Sequence, residues 1–320
     1  MRTLLALLSL TLIVGCEPSS DTLRLTLAHS LEPSHTVHQA MVYMNERLQT
    51  LSDGSMRLDI YPSGQLGTER ESIELLQIGS LAMTKVSASP LEGFVPVMKI
   101  FNLPYLFRDQ AHYLEVLDSD IGQELLLAPV AARLRGLGYY DAGSRSFYTT
   151  DREIRTPADL DGLKIRVQQS QTAMQMVEAM GGAPTPISFG ELYTALQQGV
   201  VDGAENNPPS FFTSGHFEVA RYFSLDEHTS VPDLVLISTR VWDALTPMQQ
   251  QWLQRAVDES VVFQRELWQR DTEAALDALA ADGVVILKPD KTAFQSQVAA
   301  MLADYATTEL GPLIRRIQAH

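Results

Sequence analysis

The sequence has one cysteine and far fewer basic than acidic residues. With Cys16 alone, no disulfide can form within the chain. The 320 residues include 24 Lys and Arg against 39 Asp and Glu, a formal net charge of −15. This excess argues against nucleic acid or an anionic membrane surface as a partner. An anionic small ligand would approach against the overall field, so its site must create a local positive potential.

The sequence also lacks the motifs of several enzyme classes. It contains no phosphate loop, no dinucleotide fingerprint and no G-x-S-x-G nucleophile motif, so we expect no cofactor. Asp226, Glu227 and His228 are adjacent, but no nucleophile motif accompanies them. His35 and His38 have the i, i+3 spacing of a helix, without a third ligand at useful spacing. We therefore expect a helix N-terminus at these histidines and no metal site.

The longest apolar run lies at the amino terminus. Residues 4–14 are apolar apart from one serine and one threonine, which is the length of a signal-peptide core and too short to span a bilayer. Ile13-Val14-Gly15-Cys16 resembles a bacterial lipobox. We predict a lipoprotein signal peptide over residues 1–15, lipidation of Cys16 and a tether over residues 16–21. The alternative is an ordinary signal peptide.

The remaining chain of about 300 residues exceeds one typical core, which predicts two domains. Strand and helix patterns alternate over residues 23–27, 36–51, 56–60, 69–78 and 81–86. This order predicts an α/β fold with a mostly parallel sheet. From Thr246-Pro247 to about residue 281 no Gly or Pro interrupts the helical pattern, so one unusually long helix is expected. A last strand over 284–287 and a helix over 292–305 follow.

The residues of most chemical interest lie in the second half. An apolar strand over residues 163–167 carries Arg166, and a capping box over 188–191 begins a helix at Phe189. The amides of Asn206 and Asn207 follow. A guanidinium can hold a carboxylate through two parallel hydrogen bonds, and an amide can both donate and accept. From spacing alone, a surface Arg166 paired with an aspartate and a helix-starting turn at Asn207 are equally consistent.

Several motifs occur in one order along the chain: residues 61–67 (YPSGQLG), 103–108 (LPYLFR), 162–167 (GLKIRV) and 201–208 (VDGAENNP). Together they resemble the solute-binding subunits of tripartite ATP-independent periplasmic (TRAP) transporters, of the dicarboxylate-binding DctP type, over residues 22–310. The resemblance implies two α/β lobes of periplasmic-binding-protein type, spanned by one long helix. We expect one lobe over residues 22–143 and 232–271, and the other over 144–231 and 272–320.

The resemblance also implies roles for single residues. Arg166 matches the arginine that anchors the ligand carboxylate, and Arg145 matches a second ligand-contacting arginine. Asn206 matches the asparagine of a Gln-Glu-Asn-Pro motif, which here reads Ala-Glu-Asn-Asn-Pro, so the contact falls to Asn206, to Asn207 or to both, and we favour Asn206. The remaining expected ligand-binding residues are Phe189, Glu205, Gln168, Ser87 and Glu69. This polar set suits a sugar acid such as a hexuronate.

We therefore expect a periplasmic receptor that is lipid-anchored through Cys16 and delivers an organic acid to small and large TRAP membrane subunits. A receptor for a C4-dicarboxylate or keto acid is the alternative within this class. A ligand-sensing partner of a membrane kinase belongs to a second class. A lyase belongs to a third, and Glu205 is the nearest candidate for its acid or base.

Overall fold

The computed structural model describes residues 22–320. The predicted signal peptide, Cys16 and the tether lie outside this range. Within it the strands are β1 (Leu23–Ala28), β2 (Met56–Tyr61), β3 (Met83–Ser87), β4 (Leu134–Tyr140), β5 (Ser144–Thr149), β6 (Lys164–Val167), β7 (Ala183–Pro186), β8 (Gly203–Asn206), β9 (Tyr222–Ser230), β10 (Asp233–Ser238) and β11 (Val285–Leu287).

The helices of the same range are α1 (Thr36–Leu51), α2 (Glu69–Ile78), α3 (Ala88–Leu91), α4 (Gln110–Asp118), α5 (Asp120–Leu127), α6 (Gln171–Ala179), α7 (Leu192–Gln197), α8 (Pro208–Thr213), α9 (Thr239–Ala244), α10 (Pro247–Ala281), α11 (Lys291–Ala306) and α12 (Gly311–Ala319). Short 3-10 helices cover Pro96–Asn102, Ala128–Ala132, Pro157–Leu160, Phe189–Glu191 and His216–Glu218. None of the helices over residues 22–320 combines the length and apolar character that a membrane crossing needs.

Two mixed sheets form the centres of two lobes. The first has the strand order β2-β1-β3-β10-β4, and the second β11-β9-β5-β8-β6-β7. In the first sheet β1 pairs in parallel with β2 and β3, as the alternating pattern predicts. Four of its five strands run in one direction, as predicted, and β10 is the exception, antiparallel to both β3 and β4. The reason is that β10 enters this sheet directly from the other lobe, after β9.

The long helix predicted from residue 246 onward is confirmed. Thr246 caps α10 in a capping box with Gln249, and the helix continues for 35 residues. Near its start Leu253 and Val257 pack into the core of the first lobe, against α1 and the first sheet. Near its end Leu279 belongs to the core of the second lobe. One continuous helix therefore belongs to both hydrophobic cores, and the chain forms the expected two-lobed α/β fold.

The last two helices pack against different lobes. Phe294 and Val298 of α11 pack into the core around β6 in the second lobe. Leu313 and Ile317 of α12 instead pack into a core of the first lobe, where His112 Nε2 also lies 2.9 Å from the Ile317 carbonyl oxygen. The expected assignment of residues 272–320 to the second lobe therefore does not describe α12. The sequence prediction ended at the preceding helix and did not include α12, although Leu313, Ile314 and Ile317 have the spacing of one helix face.

Candidate functional site

A cleft lies between the two lobes. Its outer part has a volume of about 320 Å³ and is lined by Glu69 from the first lobe and Arg166 from the second. An inner part of about 30 Å³ adjoins it, lined by residues that include Lys85, Ser87, Arg145, Asn206, Asn207 and Asp233. Both parts share Ser30, Glu69, Gln168 and Phe189. We refer to the two parts together as the cleft.

Arg166 contributes an uncommitted cation to the cleft. Strand β6 buries Ile165 and Val167 in the second lobe, and Arg166 itself is only 2% exposed. Its Nε donates to the Ile187 carbonyl oxygen at 2.8 Å. Its Nη1 is buried without a hydrogen-bond partner, and Nη2 has none among residues 22–320. Burial lowers the pKa of Arg166, but a guanidinium remains protonated in proteins.

The side chains next to Arg166 do not neutralise it. The Tyr148 hydroxyl lies 2.8 Å from Nδ1 of the buried His216. Burial and the nearby Arg166 lower the pKa of His216 to about 3, so this imidazole is neutral at physiological pH. No carboxylate among residues 22–320 forms a salt bridge with Arg166, as shown by its unpartnered terminal nitrogen. Glu205 and Glu69 favour the charge of Arg166 from a distance, so a bound anion would supply the direct partner that this buried cation lacks among residues 22–320.

Arg145, the second arginine expected from the sequence, is already paired. Glu205 accepts hydrogen bonds from its Nε and, at 2.9 Å, from its Nη2, which also donates to the Glu205 carbonyl oxygen at 2.7 Å. Its Nη1 donates to Asn206 Oδ1 at 2.9 Å. Arg145 lines the inner cleft, whereas Glu205 does not line either part. The guanidinium of Arg145 therefore holds the side chains of Glu205 and Asn206 in position.

Behind Arg145 lies a buried charge network. His228 Nδ1 is 2.8 Å from Asp226 Oδ2, and His228 Nε2 is 3.6 Å from Glu205 Oε2. Burial disfavours the charged form of Glu205, but Arg145 and His228 outweigh it and lower its pKa to about 2. Burial also opposes the charge of His228, yet Asp226 and then Glu205 raise its pKa to about 9. The Asp226-Glu227-His228 sequence thus supplies two members of a structural network.

The two adjacent asparagines have different surroundings. Asn207 accepts from the Ser210 backbone N–H at 2.8 Å and caps α8, as the turn interpretation of the sequence predicts. Asn206 Oδ1 accepts from Arg145 and from the Asn207 N–H at 2.9 Å. The Asn206 Nδ2 group has no hydrogen-bond partner among residues 22–320. Both asparagines line the inner cleft, and Asn206 keeps a donor available there.

Three of the expected residues meet across the cleft. Ser87 of the first lobe donates through its hydroxyl to Gln168 Oε1 of the second lobe at 3.2 Å. The Ser87 backbone N–H donates to Glu69 Oε1 at the same distance. Phe189 lines both parts of the cleft, with its ring centroid 5.4 Å from that of His216. The structure thus brings all the predicted ligand-binding residues except Glu205 to the cleft wall, although their contact with a ligand stays a prediction.

Lys85 and Asp233 are buried charged residues of the cleft that the sequence prediction did not include. Lys85 lies in the fully buried strand β3, and its Nζ is 3.3 Å from Glu69 Oε1 and 3.2 Å from Asp233 Oδ2. Burial opposes its charge, but Asp233 and Glu69 outweigh this and raise the pKa of Lys85. The available signal was a lysine inside a strand predicted to be buried. A buried lysine is rare unless paired.

A larger groove of about 720 Å³ lies outside the cleft. It is lined in part by residues between 141 and 146, where the chain passes from the first lobe to the second. Ser144 and Ser146 line it, whereas the intervening Arg145 lines the cleft, as alternation along β5 requires. Its only lining cation within residues 22–320 is Arg265, which donates to both carboxylate oxygens of Asp118 at 2.7 Å. The groove therefore offers an acid no free cation, despite its size.

The two histidines considered as metal ligands have structural partners. His35 accepts from the Val37 N–H and caps α1, as the sequence predicts, and its Nε2 lies 3.1 Å from Ser210 Oγ of the other lobe. His38 Nδ1 lies 3.0 Å from His29 Nε2. Over residues 22–320 no group of three His, Cys, Asp or Glu side chains could hold a metal ion.

Known proteins resemble this chain over most of its length. Residues 27–308 match the family of bacterial extracellular solute-binding proteins, family 7 (DctP). An uncharacterised protein of Salmonella typhimurium is 39% identical over 86% of this chain and 84% of its own. Two solved structures are TRAP periplasmic solute-binding proteins. One from Bradyrhizobium contains D-galacturonate and is 38% identical, with a TM-score of 0.89 over 93% of this chain and 100% of its own. The other, from Pseudomonas putida F1, contains D-glucuronate and is 36% identical, with a TM-score of 0.90 over 93% and 97%.

Proposed function

The chain belongs to the solute-binding proteins of TRAP transporters, and we propose that it is the receptor for a hexuronate or a similar sugar acid. Several relatives are periplasmic solute-binding proteins, so the chain would act as a periplasmic receptor, and not as an enzyme, that delivers its acid to TRAP membrane subunits. A receptor requires a cleft that grips its ligand without transforming it. The observation that most directly supports this proposal is the guanidinium edge of Arg166, which is buried at the wall of the cleft and has no hydrogen-bond partner among residues 22–320.

Arg166 explains how the acid is held. The ligand carboxylate would accept two parallel hydrogen bonds from Nη1 and Nη2, which supply the local positive potential that a chain of charge −15 otherwise lacks. Because Arg145 is bound to Glu205, it acts indirectly by fixing the Asn206 amide at the cleft. Asn206 Nδ2 would then donate to a ligand hydroxyl or carbonyl oxygen. Phe189 would cover an apolar face of the ligand, and Asn207 would border the site.

Closure of the two lobes would complete the site. Contacts between the lobes include the hydrogen bond from Ser87 to Gln168 at 3.2 Å and the pair His35 Nε2 and Ser210 Oγ at 3.1 Å. Such contacts form only when the lobes approach, so they add to the binding of an acid that favours the closed form. For the lobes we propose residues 22–143, 232–271 and 307–320 for one, and residues 144–231 and 272–306 for the other. On this division α12 returns to the first lobe.

The number of free cations supports a sugar acid over a C4-dicarboxylate. One unpartnered arginine suits one carboxylate, because the other cations of the cleft, Arg70, Arg145 and Lys85, are paired with carboxylates of the chain. The solved relatives that contain galacturonate and glucuronate support the same choice. We also propose that Cys16 carries a lipid that anchors this periplasmic protein to a membrane.

Ligand screening tests the proposal. We expect D-galacturonate or D-glucuronate to raise the melting temperature of the mature chain, while succinate and keto acids raise it less. A ligand at 100 times its Kd adds about 2.7 kcal/mol to the unfolding free energy, which is readily measured. Calorimetry then gives the Kd, and chromatography checks that the acid is recovered unchanged. Tighter binding of succinate would favour the dicarboxylate receptor, catalytic conversion of the acid would favour the lyase, and binding of no acid would reject the proposal.

A further inference from the structure

The inner end of the cleft contains a buried triad of charged side chains, Glu69, Lys85 and Asp233. Lys85 Nζ lies 3.3 Å from Glu69 Oε1 and 3.2 Å from Asp233 Oδ2. Glu69 begins α2 and lines both parts of the cleft, while Lys85 and Asp233 line only the inner part. The side chains of the three residues are 15%, 3% and 10% exposed, so solvent screens their charges only weakly.

The buried charges at the two ends of the cleft differ in sign, since Arg70, Glu71 and Glu191, which also line the outer part, are exposed to solvent that screens them. In the triad, one ammonium and two carboxylates leave a formal charge of −1. Arg145 and Glu205 form a neutral pair beside it. Arg166, which lines the outer part and not the inner, contributes +1 without a partner. The cleft is therefore set up for a ligand with a negative group at one end and neutral hydrogen-bond donors at the other.

We propose that Glu69 and Asp233, held in place by Lys85, determine the specificity of the receptor by accepting hydrogen bonds from ligand hydroxyls and excluding a second carboxylate. This inference rests on the proposed function. Ionised carboxylates only accept hydrogen bonds, so they match hydroxyl donors. A second carboxylate on the ligand would bring no donor and would meet charge of its own sign. Lys85 is a positioning residue, because its single ammonium contacts both carboxylates and so holds them close to each other.

The test compares two ligands that differ at one end. The first is whichever of D-galacturonate and D-glucuronate the wild type binds more tightly, and the second is its aldarate, which has carboxylates at both ends of the same six-carbon chain. We expect the wild type to favour the uronate by about 100-fold or more, because like charges brought together cost several kcal/mol. Asp233→Asn removes the excess negative charge and should lower this ratio of dissociation constants about tenfold or more. Affinity for the uronate itself should fall about 10- to 100-fold, since one charged acceptor is lost.

Controls separate this effect from overall charge and from folding. Asp304→Asn makes the same change of charge at an exposed position on α11, so its ratio should equal that of the wild type. If Asp233→Asn does not fold, Glu69→Gln tests the same acceptor role at the more exposed carboxylate of the triad. An unchanged ratio in a folded Asp233→Asn or Glu69→Gln variant overturns the inference. If the wild type binds neither uronate, the proposed function itself fails, and that result is distinguishable from an unchanged ratio.

Discussion

Replacing Arg166 by alanine should abolish acid binding without harming the fold. The wild-type guanidinium has two terminal nitrogens for a ligand carboxylate, and its only hydrogen bond within residues 22–320 is the one from Nε to Ile187. A hydrogen bond to a charged group contributes about 1.5–3 kcal/mol, so two contribute about 3–6 kcal/mol. The Kd of the sugar acid should therefore rise by at least about 100-fold.

The stability of the ligand-free protein provides an independent check on the same residue. Alanine removes one hydrogen bond of about 1 kcal/mol, but it also removes the desolvation cost of an unpaired buried cation. We expect the unfolding free energy without ligand to fall by no more than about 1 kcal/mol, or to rise. Denaturant titration measures this value, and calorimetry with D-galacturonate measures the affinity of the same preparation.

Two further variants separate charge from geometry. Arg155→Ala removes an exposed arginine from the same lobe, and we expect it to bind like the wild type. Arg166→Lys keeps the charge but loses the planar fork, so its affinity should fall between those of the wild type and Arg166→Ala. If folded Arg166→Ala retains a Kd within tenfold of the wild type, the reasoning about this site is refuted.

Three other predictions rest on contacts of the structure, and a fourth rests on the sequence around Cys16. The folded-state pKa of Glu205 is depressed from 4.5 to about 2, so stability present at neutral pH should be lost as pH falls through this window, by about 3 kcal/mol, and Glu205→Gln should flatten that limb of an unfolding series. The pKa of His228 is raised from 6.5 to about 9, so its contribution is complete below pH 6.5 and lost as pH rises through 9; a stability flat over this range would contradict the assignment. Ser87→Ala removes the hydrogen bond to Gln168 and should weaken sugar-acid binding about two- to tenfold in calorimetry, with no change counting against a closed-form role. Cys16→Ser should release the protein from the membrane fraction, and mass spectrometry of the wild type should find a lipid on Cys16.

Local patterns predicted the elements well because they depend on neighbouring residues. The helix from Glu69 to Ile78 ends at Gly79, whose φ of 78° is the left-handed conformation that glycine adopts easily. Helix α10 begins at Pro247 and ends at Ala281, where the uninterrupted pattern also ends. Neither prediction required knowledge of tertiary contacts.

Long-range pairing limited the prediction of the site. Nothing near Arg145 in the sequence shows that Glu205, 60 residues later, holds its guanidinium. Similarly, Lys85 and Asp233 are 148 residues apart and meet only because β3 and β10 are neighbours in one sheet. The sequence could place Arg166 on a strand, but its lack of a counter-ion depends on which carboxylates the fold brings near it.

A crystal structure of the mature protein with D-galacturonate or D-glucuronate tests the central claim most directly. We predict the ligand carboxylate in the cleft with its oxygens about 2.7–2.9 Å from Nη1 and Nη2 of Arg166. The hydroxyl end should point toward Glu69 and Asp233. An acid bound with its carboxylate away from Arg166, or bound in the groove beside Ser144 and Trp268, would contradict the account.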